Sequence, residues 1–91
     1  MEKSYFYITP LEIDIDGVPV TVWEVLRTQL INGEVWYHFV VSINFKGIES
    51  RRVTIDARNM DELVEKLRTE ITKLKVIYYA RGINEVKRVI T

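Results

Sequence analysis

Between Val18 and Phe45 apolar and polar residues alternate with little interruption, and the clearest break is Asn32-Gly33. Period-two alternation predicts strands. Asn-Gly between two of them predicts a hairpin closed by a two-residue type I′ loop, where both residues need positive φ. With Ile31 opposite Glu34, one face collects Val20, Val22, Leu26, Leu30, Val35, Tyr37, Phe39, Val41, Ile43 and Phe45, with Glu24 and Thr28 as the exceptions. This is the expected core face, and a one-residue slip would mix the two sets. The other face collects Trp23, Val25, Arg27, Trp36, His38 and Val40, flanked by Thr21, Gln29, Ser42, Asn44, Arg52 and Thr54. Phe6 and Ile8 are expected to join it.

Asp16-Gly17 is a second turn of the same kind. It sets Ile15 against Val18, Ile13 against Val20 and Leu11 against Val22, which agrees with the first hairpin's core face. Pro10 interrupts the first strand, and Tyr5 to Ile8 alternates ahead of it. Lys46-Gly47 marks a third turn. A plain two-residue loop there would send Ser50, Arg52 and Thr54 to the core face. One extra residue sets Val53 against Val41 and Ile55 against Phe39, so a three-residue loop or a Gly47 bulge is expected. Arg51 then lies at the rim of the core face and Arg52 on the other face.

From Asn59 the period changes. Asn59 is a good N-cap, with Asp61 and Glu62 at the positive end of the helix dipole. Met60, Val64, Leu67, Ile71, Leu74 and Tyr78 then recur at spacings of three and four, widened by Leu63 and Ile77. Gly82 suits the residue after the last turn. The tail Ile83–Thr91 is expected to be a short fifth strand. The fold class is therefore α+β: a four-stranded antiparallel meander followed by one long helix packed on one face. Residues 1–91 form a single domain.

A single sheet with one apolar face needs a lid, and the long helix has the matching stripe. That leaves Trp23, Val25, Arg27, Trp36, His38, Val40 and Arg52 uncovered. Exposed patches beyond a few hundred Å² mark interaction sites. Three readings compete for this one. The tail or the N-terminus covers it, two copies stack sheet on sheet, or single-stranded nucleic acid stacks on the aromatics while Arg27, Arg52, His38 and Lys46 neutralise phosphates.

Composition narrows the chemistry. Val and Ile supply 23 of the 91 residues and Ala two, which favours strands. With no Cys there are no disulfides, no thiol catalysis and no Cys-based zinc site. A single His excludes a His-rich metal centre, and no glycine-rich phosphate loop occurs. His38 has no evident oriented acid, so no catalytic residue, metal or cofactor is assigned and no enzyme is expected. No apolar run approaches the ~18 residues of a membrane span, and Met1–Tyr7 lacks a signal-peptide core. A cytoplasmic protein is the expectation, and the lack of Cys with a single Gln hints at a thermophile. Net charge is zero, yet residues 1–35 sum to −4 and residues 36–91 to +4. That asymmetry permits an anionic partner.

A four-strand meander followed by one long helix, with aromatics on the sheet, is similar to the Whirly and PUR-type single-strand nucleic-acid-binding modules. The resemblance covers residues 11–81 and rests on element order, with no shared motif. It implies a dimer or paired repeat holding single-stranded DNA or RNA on the sheet, a pattern from which zero net charge departs. The sequence thus points to a small non-enzymatic module that self-associates, forming a homodimer, and whose open face binds single strands. The alternative is a structural or protein-interaction homodimer with that face as its subunit interface.

Overall fold

Alternation in the first half of the chain folds into strands, and the three-four spacing of the second half folds into helix. The computed structural model describes residues 2–6 and 10–91, the first five by backbone pairing alone. The elements are β1 (Glu2–Phe6), β2 (Leu11–Ile15), β3 (Val18–Gln29), β4 (Val35–Phe45), β5 (Ile48–Glu49), β6 (Val53–Ala57), α1 (Met60–Arg81) and α2 (Ile83–Ile90). β1 and β2 both pair with β3, and β5 and β6 both pair with β4, all antiparallel. The six strands therefore fill four positions of a meander, and the fold is α+β.

The β2–β3 hairpin has the expected register, Leu11 opposite Val22 and Ile15 opposite Val18. Asp16 and Gly17 both adopt positive φ, 51° and 84°, as a type I′ turn requires. The β3–β4 hairpin differs. Gly33 has φ 88° but Asn32 does not share it. The Gly33 N–H bonds the Leu30 carbonyl at 3.0 Å, and the Leu30 N–H bonds the Glu34 carbonyl at 2.8 Å. The loop is thus three residues, Ile31-Asn32-Gly33, a turn closed by a left-handed glycine. The register near it moves by one, with Gln29 opposite Val35 and Val25 opposite Phe39.

A bulge at Trp23 then restores the parity of the inner half, where Val22 lies opposite Val41 and Val20 opposite Ile43. One extra residue turns β3 over. Val20 and Val22 face the helices before the bulge, and Val25, Arg27 and Gln29 after it. Val25 and Arg27 therefore do not belong to the open face. Val25 packs against the core instead, and the backbone pairs Phe6 with Val25 rather than with an open-face residue. Ile8 lies outside the described residues. Leu26 and Thr28 take the open-face positions, opposite His38 and Trp36.

Lys46-Gly47 is a plain two-residue turn after all, with φ of 50° and 85° and Phe45 opposite Ile48. The extra residue sits later, at Ser50–Arg52 between β5 and β6. Beyond it Val53 meets Val41 and Ile55 meets Phe39, as the alternation requires. The Trp23 bulge and the Ser50–Arg52 break fall at one level across the sheet.

Asn59 caps α1: its Oδ1 accepts from the Glu62 N–H at 2.8 Å. Leu63, Leu67, Ile71 and Leu74 bury the helix's apolar face against Val20, Val22, Phe39, Val41, Ile43 and Phe45. Removing the cap in Asn59→Ala is expected to cost about 1 kcal/mol, read as a lower urea midpoint at unchanged slope.

The tail is a helix, not a fifth strand. Its apolar residues Ile83, Val86 and Ile90 recur at three and four, and Val86 and Ile90 are buried in the core beside α1. The Arg51 N–H donates to the Ile90 carbonyl at 2.9 Å, and Arg51 Nη1 to the Val89 carbonyl at 3.1 Å, which fixes α2 to the sheet rim. Both helices thus lie on one side of the sheet. Among the described residues no helix is long and apolar enough to cross a membrane.

Candidate nucleic-acid interface

The second side of the sheet has no helix over it among the described residues. The tail, one of the covers the sequence offers for it, is on the opposite side. Cross-strand pairing builds this face from Thr21 opposite Ser42, Leu26 opposite His38 and Thr28 opposite Trp36, continued onto β6 by Thr54 opposite Val40 and Asp56 opposite His38. Of the residues expected here, Trp23, Trp36, His38, Val40 and Arg52 are present, and Val25 and Arg27 are not.

The bulge makes Trp23 a fixed feature. Its indole N–H donates to Ser42 Oγ at 2.9 Å, and the Ser42 hydroxyl donates to Glu49 Oε1 at 2.7 Å. Ser42 is 1% exposed, so this chain satisfies a polar group that burial would otherwise penalise. The Arg52 guanidinium lies 3.8 Å from the centroid of the Trp23 ring. That is stacking distance, and it places a planar cation on the outside of a pinned aromatic.

Trp36 stands at the other end of the face. Arg58 and Lys66 lie 5.4 and 5.8 Å from its ring centroid. Both cations also serve Glu62, at 3.1 Å from Arg58 Nε and 3.3 Å from Lys66 Nζ. Burial pushes the Glu62 carboxyl upward, but hydrogen bonds from the Arg58 side chain and backbone and from Lys66 outweigh it and hold the group below its ordinary value. The six-residue rise from Trp36 to Ser42 along β4 separates the two aromatic sites by about 20 Å.

Between them lies a relay that sequence reasoning missed. His38 Nδ1 is 2.6 Å from Asp56 Oδ1, and His38 Nε2 is 2.9 Å from Thr28 Oγ1. A carboxylate only accepts, so Nδ1 donates to Asp56, and Nε2 shares a hydrogen bond with the Thr28 hydroxyl. Thr28 is only 6% exposed, and the trio is a brace joining β3, β4 and β6. Asp56 reads in the sequence as a residue of the turn before the helix. The register that sets Ile55 against Phe39 already implied its partner, because the next pair is Asp56 with His38.

Among the described residues no cluster of three or more His, Asp or Glu is placed to hold a metal ion. No protein family, curated protein or solved structure matches this chain.

Proposed function

We propose that the protein is a non-enzymatic module that binds single-stranded DNA or RNA on its open sheet face. The observation that supports this reading is the pairing of each tryptophan on that face with an arginine, Trp23 with Arg52 and Trp36 with Arg58. Unpaired bases stack on aromatic rings and on guanidinium planes, while the same cations neutralise phosphates. A duplex hides its base faces and gains little from such a surface. Arg52 on Trp23 offers a stacking plane and a charge at one point, and Arg58 and Lys66 do the same beside Trp36. The His38 brace holds the strands between them rigid, so little ordering cost is added on binding. Glu24, Glu49 and Asp56 lie among these cations, which suits modest affinity with a shallow salt slope more than tight binding.

Both tryptophans of the chain lie on this face, so intrinsic fluorescence reports on it directly. Titration with mixed-sequence single strands is expected to quench emission, with affinity falling as salt rises. Trp36→Ala is expected to weaken binding by about 1–3 kcal/mol, the worth of one stacked base, in a chain that still unfolds cooperatively. A flat titration at low salt overturns the reading. If Trp36→Ala instead converts a dimer to a monomer, the face is a subunit interface.

A further inference from the structure

We infer that the chain forms a two-fold dimer by pairing the outer edge of β6 with the same edge of a second copy. Among the described residues β6 is bonded only to β4, on one side. Lys66, reaching from α1, donates to the Asp56 carbonyl, so the backbone groups of Asp56 point away from β4. Alternation along the strand turns the N–H and C=O of Thr54 the same way. The Thr54 N–H and C=O and the Asp56 N–H are open pairing groups at the middle of an edge, while Lys66 holds the Asp56 carbonyl and must yield it to an incoming strand, and an open edge is a template for another strand.

The side chains of this edge are self-complementary. Arg52, Thr54 and Asp56 occupy successive positions on the open face. Antiparallel pairing about an axis through Thr54 sets Thr54 opposite Thr54 of the second copy. It also sets Arg52 of each copy opposite Asp56 of the other, forming two ion pairs by symmetry. Sliding the register by two in one direction brings Arg52 against Arg58, and in the other it shortens the ladder. Charge and ladder length together therefore select one register. On the helix side the edge borders an apolar groove of about 510 Å³ lined by Ile43, Val53, Ile55, Leu74, Val89 and Ile90. Val53 and Val89 remain 37% and 38% exposed there. In the Thr54-centred register Val53 of each copy faces Ile55 of the other, which covers that apolar strip.

A two-fold axis perpendicular to the sheet keeps both open faces on one side and all four helices on the other. The result is one continuous sheet with twice the aromatic face. The inference goes beyond nucleic-acid binding and is tested without any nucleic acid.

The test is sedimentation velocity on the full chain. The native protein is expected to dimerise at micromolar concentration. Arg52→Asp sets carboxylates against each other at both symmetric positions, and Asp56→Arg does the same with guanidiniums. Each variant alone is expected to dimerise at least about tenfold more weakly. An equimolar mixture of the two restores opposite charges at both positions and is expected to recover the dimer as a heterodimer. That recovery also shows that both variants fold. Thr54→Pro removes an outward N–H that β4 does not use and is expected to give a folded monomer. A native chain that is monomeric throughout, a mixture that fails to reassociate although circular dichroism shows both variants folded, or a dimer indifferent to Thr54→Pro overturns the inference.

Discussion

Leu67→Ala is expected to lower the unfolding free energy by about 3 kcal/mol, with about 2 to 5 kcal/mol as the range for such truncations. Leu67 sits at the middle of the buried row of α1 and is fully buried, as is Leu63 one turn before it. It packs into a core made of one helix face, one sheet face and two residues of α2, so truncating it leaves a cavity inside that core. A domain of this size has a net stability of only about 5–15 kcal/mol, so one such cavity removes a large share. The matched control is Val76→Ala in the same helix. Val76 is 61% exposed, and its truncation is expected to change stability by less than about 0.5 kcal/mol. Urea unfolding of both variants at one protein concentration separates the two outcomes. Equal losses would mean that α1 does not present this face to the sheet.

Much of this architecture was legible because two physical periods state it twice. The Asp16-Gly17 hairpin, the Val53–Val41 pairing, the Asn59 cap and the stripe at Leu67, Ile71 and Leu74 stand as the pattern predicts, whereas Met60, expected to open that stripe, is 45% exposed and Leu63 is buried in its place. The turnover of β3 was not legible, because Val25 and Leu26 are adjacent apolar residues and either can face the core. Parity gave no penalty for carrying the inner register of Val20 and Val22 outward past Trp23. The bulge that decides it depends on Trp23 finding Ser42 and Arg52, residues 19 and 29 positions away. The three-residue loop followed from the same ambiguity. It leaves Ile31 95% exposed at the hairpin tip, an apolar residue that pattern reading placed beside a strand end.

The candidate site was legible to a corresponding degree. β4 runs without a bulge, so Trp36, His38 and Val40 kept their face, while β3 lost Val25 and Arg27 to the other side. Arg52 kept its face because the misplaced extra residue, put in the Lys46-Gly47 turn rather than at Ser50–Arg52, precedes it either way. The relay through Asp56 follows only from the β4–β6 register and His38 taken together, because nothing local to Asp56 points to a partner 18 positions away.

The tail offers the second large effect. Val86→Asp is expected to destabilise the protein by at least about 3 kcal/mol, because a carboxylate there must either stay charged without a partner or bind a proton and remain unsatisfied. Val86 is fully buried and Ile90 is 7% exposed, and together with Ile83 they seal the end of the core beside Leu74. Burial of each such side chain stabilises by about 1.5–3 kcal/mol, so removing residues 83–91 altogether is expected to abolish cooperative unfolding. The pattern of sensitivity also distinguishes helix from strand. In a strand Ile83 and Val86 would lie on opposite faces, and only one of them could be critical. In α2 they lie one turn apart on the same face, so Ile83→Asp and Val86→Asp are both expected to be severe. Lys87→Asp, on the exposed side, is expected to stay within about 0.5 kcal/mol of the native protein. Thermal unfolding of the three variants gives the order. A tolerated Ile83→Asp beside a severe Val86→Asp would return the tail to a strand and reopen the question of what covers the aromatic face.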